Sequence, residues 1–436
     1  MDEVTAAPAP HAHPVRLGVL GHGVVGAAFV DLVARRAGEV RARAGVDLRV
    51  VRVAVRDLGR HRGLPSGLAV TDPHAVAEDP EVDVVVELMG GLDPAREIVA
   101  TALGKGKPVV TANKALLARH GAELFAAADA AGTDLLFEAA VCGGIPLIRP
   151  LRESLRGEPI ERILGIVNGT TNYVLTQMSE RGAEYADALA EAQRLGYAEA
   201  DPTADVEGHD AAAKIAIVAT IAFGARVALA DVHAEGIPRV TAADIAIARR
   251  FGFAVKPLGV AERRGADGAI SVRVHPALVP LTHPLASVRG AFNAVVVDGA
   301  ASGSLMFYGS GAGGDPTASA VLGDVIDAAV NLRKGTHAPL GTFAPARLAP
   351  MGSLEGEYMI GLEVADRPGV LHAVTGVFAR NAVSIRAAEQ DGIGTDARLV
   401  FLTHRAGEAA VQACLAELRG LDVVTHVGAL LRVIPG

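Results

Sequence analysis

Six charged side chains lie within the sixteen residues from Glu199 to Lys214, and their types and spacing could support acid–base chemistry. Five are carboxylates and one is a lysine. Asp210 and Lys214 are four residues apart at the start of an apolar run, so on a helix they share one face. A carboxylate beside an ammonium group can orient a polar substrate and hold a proton donor in place.

An exposed helical ion pair would show the same spacing and would contribute only about 0.3–0.5 kcal/mol. The apolar run that follows Asp210 favours a different interpretation. We expect the charged face to point into a cleft, where a charge is costly unless it is paired or used.

A glycine-rich loop near the start of the chain is the second chemical signal. It follows the apolar run Val15–Leu20 and opens an Ala-rich helical stretch. Glycines there permit a tight turn and a close approach to a pyrophosphate, and the helix N-terminus adds N–H donors. With 50 glycines in the chain, this strand–loop–helix context is what makes the match meaningful. The predicted dinucleotide contacts are Gly21, Gly23, Val24, Val25 and Gly26, with Gly90 and Gly313 from two later glycine turns.

The end of the second predicted strand bears on which dinucleotide is bound. Arg56 stands where an NAD site usually has an acidic residue, and Arg60 and Arg62 follow. A guanidinium suits a 2′-phosphate. NAD(H) remains open, because Asp57 is also present at this strand end and the arginines could belong to a solvated basic loop. We therefore expect NADP(H), or use of both cofactors.

Two further motifs follow strand ends. Lys114 comes after Pro108–Thr111, at the edge where parallel sheets bind ligands, although a surface lysine at a helix start would look the same. Glu138 precedes a glycine-rich turn that runs to Ile145, and one carboxylate with several carbonyls can hold a hard cation. A turn without a cation is an equally open interpretation. Cys142 is expected to be a small buried thiol.

These residues need elements that position them. Short apolar strands alternate with helices over residues 15–150, which predicts a parallel, doubly wound sheet. A helix over 316–334 is expected to pack back on it. Residues 151–315 predict an α+β domain, in which residues 254–300 have strand-like alternation and 309–314 form a glycine loop.

The C-terminal part has its own pattern. Residues 335–356 are rich in Pro and Gly and predict a linker. Residues 357–436 show a βαββαβ order, which is the ferredoxin-like plan. Residues 1–14 are expected to be a disordered tail.

Composition excludes several classes of protein. The chain has 436 residues, enough for about three domains, and half of them are hydrophobic. The net charge of −8 with scattered basic residues argues against nucleic acid and membrane surfaces as partners. Cys142 and Cys414 are the only cysteines, which indicates a reducing, cytoplasmic setting. Lys214 and Arg226 interrupt the most apolar stretch, so we expect a buried helix there and no membrane span.

Long motifs in a fixed order resemble those of the homoserine dehydrogenase family. The resemblance covers nearly the whole chain after the tail. The segment around Asp366–Leu371 looks like that of an ACT domain. The motifs are Gly21–Gly26, Glu87–Gly91, Thr111–Lys114, Asn168–Tyr173, Gly196–Lys214 and Gly311–Ala318.

The resemblance implies reversible, NAD(P)-dependent conversion of L-aspartate 4-semialdehyde to L-homoserine, a step toward threonine, methionine and isoleucine. It implies that Lys214 is the proton donor and that Asp210 binds and positions the substrate. Glu199 and Asp205 resemble substrate-binding groups, and Lys114 resembles a lysine that approaches cofactor and substrate. The implied sodium site consists of the Glu138 carboxylate and the backbone carbonyls of Val141, Gly143 and Ile145.

The resemblance also implies a substrate-binding and dimerisation role for residues 151–315. It further implies control by an amino acid through the ACT unit, with threonine as the expected effector. We expect a homodimer or homotetramer. Two alternatives remain open: a nucleotide-bound amino-acid sensor without turnover, and another ACT-tailed hydroxyacid dehydrogenase.

Overall fold

The structure is a computed structural model, and it describes residues 13–60, 64–65, 67–265, 268–341, 343–391 and 397–435. The chain folds into two units. The first comprises Met1–Ile148 and Ala312–Thr342, and the second comprises Arg149–Gly311 and Phe343–Gly436. The predicted tail up to residue 12, Arg62 and the side chain of Arg60 lie outside what the structure describes.

Strands and helices alternate in the first half of the chain. The strands are β1 (Val15–Leu20), β2 (Leu48–Ala54), β3 (Ala69–Val70), β4 (Val84–Glu87), β5 (Val109–Thr111), β6 (Leu135–Leu136), β7 (Ile160–Ile166), β8 (His233–Ala234), β9 (Phe253–Arg264), β10 (Ala269–Pro280), β11 (Phe292–Gly299), β12 (Gly303–Ser310), β13 (Glu355–Gly356), β14 (Tyr358–Val364), β15 (Ile385–Asp391), β16 (Ala397–Thr403), β17 (Ala406–Gly407) and β18 (Val424–Val433). The helices are α1 (Val24–Ala44), α2 (Pro73–Glu78), α3 (Ala95–Gly104), α4 (Lys114–Ala131), α5 (Gly169–Arg181), α6 (Tyr185–Arg194), α7 (Thr203–Val206), α8 (His209–Phe223), α9 (Ala242–Arg250), α10 (Gly314–Lys334), α11 (Val370–Arg380) and α12 (Glu408–Arg419).

A parallel sheet forms the centre of the first unit. Its strand order is β3-β2-β1-β4-β5-β6, which is the order of dinucleotide-binding sheets. β4 is buried along its whole length, as expected for a strand covered on both faces. Helix α10 packs against α1, and Val321 and Val325 share one core with Phe29 and Leu17.

A mixed sheet runs through the second unit in the order β12-β11-β7-β9-β10-β18-β14-β16-β15. Its last four strands, with α11 and α12, form the ferredoxin-like unit. The junction is a short parallel pairing in which Ala277 and Leu278 of β10 lie opposite Arg432 and Val433 of β18. The ferredoxin-like unit is therefore part of a continuous sheet.

The predicted fold class is confirmed, with local differences. The strand predicted over 134–138 is only Leu135–Leu136, because the Glu138 N–H donates to the Asp324 carboxylate (2.8 Å) and not to a neighbouring strand. The helix predicted from Glu207 begins at His209, because Gly208 before it has φ +84°.

Other elements were not predicted. β12 reaches Ser310, so the predicted glycine loop over 309–314 is shorter, and α9 had no counterpart in the prediction. The predicted domain boundaries at 150, 315, 335 and 357 stay predictions. Within the described ranges, no helix is both long enough and apolar enough to cross a bilayer.

Candidate active site

The Asp210–Lys214 pair lies in the first turns of α8 and is almost fully buried. Asp210 is 7% exposed and Lys214 is 9% exposed. Lys214 Nζ lies 2.7 Å from Asp210 Oδ2 and donates a second hydrogen bond of 2.7 Å to the carbonyl oxygen of Val167. The rest of the helix is apolar and mostly buried. The pair is therefore buried, as the sequence indicated, and is not an exposed ion pair on the helix surface.

Asn168 links this pair to a second carboxylate. Its side-chain amide donates to Asp205 Oδ1 (2.7 Å) and to Asp210 Oδ2 (2.9 Å). Its Oδ1 accepts from the backbone N–H of Thr171 (2.9 Å), so the same side chain caps the start of α5. One amide therefore holds two carboxylates in place while it fixes the helix on which it sits.

The prediction did not include Asn168 among the site residues, although its motif was recognised. The signal was present: an asparagine directly after a strand and directly before a helix is a typical N-cap. The sequence does not show that the side-chain amide donates to two carboxylates, because these lie 37 and 42 residues further along the chain.

The loop that carries Glu199 is held by hydrogen bonds to its backbone, among them one from the Gln193 side-chain amide to the carbonyl oxygen of Glu199 (3.1 Å). Thr170 Oγ1 donates to the carbonyl oxygen of Tyr197 (2.6 Å), and the rings of Tyr173 and Tyr197 lie 4.9 Å apart. Glu199 is exposed, and its carboxylate has no hydrogen bond or ion pair among the described residues. The structure brings Asp205, Asp210 and Lys214 together and leaves Glu199 outside that cluster.

The glycine turn of the first unit has the geometry of a phosphate cradle. Gly21 has φ +98°, and a Cβ on Gly26 would lie 2.2 Å from the Gly21 carbonyl oxygen, so both positions exclude other residues. A Cβ on Gly23, the N-cap of α1, would meet nothing within 4 Å. Val24 is 78% exposed, and Val25 follows it in the first turn of α1. The turn is therefore packed against protein atoms at Gly26 and borders open space at Gly23. This arrangement fits a pyrophosphate at a helix N-terminus.

A second turn at the same edge of the parallel sheet is held by a buried carboxylate. Glu87, at the end of β4, is 0% exposed and accepts hydrogen bonds from the backbone N–H groups of Met89 (2.8 Å) and Gly90 (3.1 Å). Thr111 Oγ1 donates to its other oxygen (2.7 Å). The Asn113 amide donates to the carbonyl oxygen of Gly91 (2.7 Å), so β4 and β5 fix the turn together. The prediction named Gly90 but not the acid that positions it.

The other predicted cofactor contacts lie at loop and helix starts. Lys114 is exposed at the first position of α4, three residues after β5 ends. Arg56 is exposed just after β2 and has no ion pair in the described part of the chain. The Asp57 carboxylate accepts a hydrogen bond from the backbone N–H of Gly59 (2.8 Å), so it stabilises the turn in which it lies. Gly313, with φ +123°, precedes α10.

The predicted cation site is a tight turn around a buried carboxylate. Glu138 is 5% exposed, and its Oε1 accepts from the N–H groups of Leu147 (2.5 Å) and Ile148 (2.7 Å). Cys142 and Gly143 have φ +57° and +47°, so the chain reverses sharply over Val141–Ile145. Among the residues described, no three His, Cys, Asp or Glu side chains gather as a metal cluster. Any cation here would depend on backbone carbonyls, which suits a hard monovalent ion.

The strand order, the glycine turn and the buried amine–carboxylate group define a dinucleotide-dependent oxidoreductase. Family models match residues 21–138 ("Homoserine dehydrogenase, NAD binding domain"), 146–326 ("Homoserine dehydrogenase") and 358–423 ("ACT domain"). The chain is similar to the homoserine dehydrogenase of Mycobacterium bovis, with 50% identity over 96% of this chain and 98% of that one. It is also similar to that of Corynebacterium glutamicum, with 47% identity over 99% of each chain.

Solved structures agree. A homoserine dehydrogenase from Thiobacillus denitrificans has a TM-score of 0.91 at 43% identity and covers 97% of this chain and 98% of its own. A hyperthermophilic archaeal homoserine dehydrogenase in complex with NADPH has a TM-score of 0.63 at 30% identity and covers 72% of this chain and 98% of its own. The chain belongs to the homoserine dehydrogenase family of oxidoreductases, and it carries an ACT domain.

Proposed function

We propose that the protein reduces L-aspartate 4-semialdehyde to L-homoserine, reversibly, in the route to threonine, methionine and isoleucine. The single observation that supports this most is the buried group of Lys214, Asp210 and Asn168, to which the half-buried Asp205 is hydrogen-bonded. It offers one ammonium for an oxygen that gains negative charge and two carboxylates for a substrate ammonium.

Each residue has a step in this mechanism. Asp205 and Asp210 accept hydrogen bonds from the substrate ammonium, and Glu199 on the outer loop adds a third carboxylate. Lys214 donates a proton to the aldehyde oxygen as charge grows on it. The Val167 carbonyl and Asp210 fix the direction of Nζ, so the proton donor is positioned before the substrate arrives. When bound, the reduced nicotinamide supplies the hydride that, with this proton, converts the aldehyde to the alcohol and leaves the oxidised dinucleotide.

NADP(H) is the proposed cofactor. Gly21, Gly23 and Gly26 would hold the pyrophosphate, and the exposed, unpaired Arg56 would contact a 2′-phosphate. The NADPH complex of the archaeal relative is consistent with this choice. In an assay with each nucleotide, we expect a higher kcat/KM with NADPH, and Arg56→Ala should reduce that preference. Equal kcat/KM values for NADPH and NADH before the substitution would contradict the assignment.

A sodium ion is proposed at Glu138 and the carbonyls of Val141, Gly143 and Ile145. The sharp turn over these residues supports it, because only Glu138 would contribute a charge. The ion would order the turn and takes no part in proton transfer. The proposal also includes the cytoplasm as the location.

Threonine control through the ACT domain and a homodimer or homotetramer complete the proposal. Phe292 and Tyr308 on β11 and β12 stack with their ring centroids 5.3 Å apart and are 44% and 56% exposed. Exposed aromatic pairs of this kind are typical of subunit contacts. Analytical ultracentrifugation of the wild type and of Tyr308→Ser would show whether this face holds the oligomer together.

The deciding experiment follows NADPH oxidation with L-aspartate 4-semialdehyde for the wild type, Lys214→Met and Lys214→Arg. We expect both variants to lose about 10²–10⁴-fold in kcat. The methionine side chain has no acidic proton to donate, and the arginine guanidinium does not release its protons. NADPH affinity, measured by nucleotide fluorescence, should stay unchanged. Lys214→Arg controls for the loss of the buried charge. A wild type that binds NADPH and threonine without oxidising NADPH would instead identify an amino-acid sensor.

A further inference from the structure

A buried carboxylate at the end of β4 takes no part in the Lys214 cluster. Glu87 is 0% exposed, and it forms no ion pair within the described ranges. Its donors are all neutral: the backbone N–H groups of Met89 and Gly90 and the hydroxyl of Thr111. A buried carboxylate without a cation is costly, so it is expected where its hydrogen bonds fix a geometry that function requires.

The turn that follows Glu87 directs its backbone donors inwards. The Leu88 N–H donates to the carbonyl oxygen of Leu20 (2.8 Å). The N–H groups of Met89 and Gly90 donate to the Glu87 carboxylate. A Cβ on Gly90 would meet nothing within 4 Å, so the turn borders open space. The turn therefore adjoins a ligand-sized opening without offering these three N–H groups to a phosphate.

The neighbouring glycine turn has the opposite character. Helix α1 begins at Val24 without a side-chain cap, so its first N–H groups suit a pyrophosphate. The two turns are in direct contact, because a Cβ on Gly21 would lie 2.8 Å from the carbonyl oxygen of Leu88. A dinucleotide with its pyrophosphate at α1 would therefore place an uncharged part against the turn after β4.

The strand order decides which part of the dinucleotide that is. In the order β3-β2-β1-β4-β5-β6, the strands β2 and β4 lie on opposite sides of β1. The nucleoside that carries the 2′-phosphate belongs at the end of β2, where Arg56 lies. With the pyrophosphate at the end of β1, the nicotinamide nucleoside would extend over the ends of β4 and β5. These are the two strands that Glu87 joins.

The second oxygen of Glu87 connects the turn to the start of α4. Thr111 Oγ1 donates to this oxygen (2.7 Å) and accepts from the backbone N–H of Asn113 (3.0 Å). Asn113 in turn caps α4 through its Oδ1, and its amide donates to the carbonyl oxygen of Gly91 (2.7 Å). The hydrogen bonds thus form a closed ring that fixes both the turn and the first residue of α4, which is Lys114.

We propose that Glu87 is a positioning residue for the nicotinamide half of the cofactor. Its two oxygens accept hydrogen bonds from both strand ends, with Thr111 and Asn113 as the connecting side chains. The surface that results sets the position from which the nicotinamide delivers its hydride. The inference rests on the proposed function in one respect, the choice of NADP(H). Because cofactor binding needs no substrate, its test is separate from that of the reduction.

The test compares two ligands of the full-length protein by calorimetry: NADPH and adenosine 2′,5′-bisphosphate, which carries the 2′-phosphate but no nicotinamide. Thr111→Val removes the hydroxyl and keeps the shape of the side chain. We expect it to weaken NADPH binding about tenfold, equivalent to about 1.4 kcal/mol, and to leave bisphosphate binding unchanged. Thr111→Ser keeps the hydroxyl and should bind NADPH as the wild type does.

Thr403→Val is the matched control. Thr403 is also 0% exposed at the end of a strand, and its Oγ1 also accepts a backbone N–H at 3.0 Å. It lies in the ACT unit, so its loss should lower the melting temperature as Thr111→Val does and leave NADPH binding unchanged. This control separates the loss of a buried hydrogen bond from the loss of cofactor positioning.

A second variant breaks the ring at its other end. Asn113→Asp keeps an N-cap oxygen for α4 and removes the amide that donates to Gly91. We expect normal stability and the same selective loss of NADPH affinity as in Thr111→Val.

Unchanged NADPH affinity in both ring variants would overturn the proposal. An equal loss of affinity for NADPH and the bisphosphate would overturn it as well, because the effect would then not belong to the nicotinamide half. A wild type that binds NADH more tightly would contradict only the choice of NADP(H), and the same comparison between NADH and ADP would then test the role of Glu87. None of these binding results depends on whether the semialdehyde is reduced.

Discussion

At the scale of single residues, Asn168 combines two tasks that are usually separate. Its oxygen caps α5, and its amide donates to Asp205 and Asp210. Two carboxylates close to each other would repel, and the amide donor together with the Lys214 ammonium compensates for that repulsion. The proton donor and the substrate-binding acids are therefore positioned by a side chain that need not touch the substrate.

Two substitutions separate these tasks. Asn168→Ser keeps an N-cap oxygen but removes the amide, so we expect normal stability and a kcat/KM lower by about 10²-fold, which is the order of effect of a misplaced group. Asn168→Ala removes both, and it should also lower the free energy of unfolding by about 1 kcal/mol. Steady-state kinetics and urea unfolding measure the two effects. A wild-type kcat/KM in Asn168→Ser would show that the amide does not position the acids.

At the scale of elements, local patterns predicted most of what forms the site. The strand before Gly21, the helix after it and the Asp210–Lys214 face of α8 all follow from periodicity and spacing. The Gly208 break and the shortened β6 did not, because each depends on a partner distant in sequence or on one backbone angle. The same holds for Glu87, whose role appears only when β4 and β5 lie side by side.

The glycine turn offers a test in which two positions of one motif behave differently. Gly26→Ala places a methyl group against the Gly21 carbonyl, so we expect a lower melting temperature and loss of NADPH binding. Gly23→Ala meets no protein atom, so stability should be unchanged while NADPH binding weakens. Thermal unfolding and nucleotide fluorescence check both. If Gly23→Ala bound NADPH normally, the space in front of the turn would not be the pyrophosphate site.

Strand β9 carries a buried lysine that makes stability depend on pH. Burial, with a smaller contribution from the nearby Arg289, lowers the pKa of Lys256 to about 8, and Glu180 partly opposes this shift. The ordinary value is 10.5. Below pH 8 the lysine is charged in both the folded and the unfolded chain, so the folded state bears the full penalty of burying it. Above pH 10.5 it is neutral in both, and the penalty is absent. Between the two values, the unfolded chain binds more protons, so stability rises with pH.

We therefore expect Lys256→Met to be more stable than the wild type at pH 7, because the buried charge is gone. From pH 8 upward, the advantage of the variant should shrink by about 1.4 kcal/mol per pH unit. Urea unfolding of both proteins from pH 7 to pH 10 measures the difference, in which the other titrating groups cancel. A difference that did not change with pH would show that Lys256 titrates at its ordinary value.

At the scale of the whole chain, the ACT unit is joined to its neighbour by a continuous sheet and a buried ion cluster. Sequence patterns predicted its βαββαβ order but gave no sign that β18 would pair with β10, because that pairing comprises only two residues of each strand. Arg432 stands at this junction and bonds Glu235 on one side and Glu408 on the other. Burial acts to raise the pKa of Glu408, but its bonds to Arg432 hold that pKa below the usual value.

Removing Arg432 should show how strongly the two parts are joined. Arg432→Met leaves Glu408 buried without its cation, so we expect a loss of about 3–5 kcal/mol in the free energy of unfolding. The double variant Arg432→Met/Glu408→Gln should recover much of this, because no unpaired charge remains buried at Glu408; the single Glu408→Gln variant completes the cycle. Urea unfolding followed by circular dichroism measures all four proteins. Glu235 is less buried than Glu408 and can turn to solvent, so it should contribute little to the loss. A loss below about 1 kcal/mol in Arg432→Met, the range of a surface ion pair, would mean that the ion cluster is not needed to join the ACT unit to its neighbour, and that the sheet pairing and the core shared by Met359, Leu402 and Ile245 are enough.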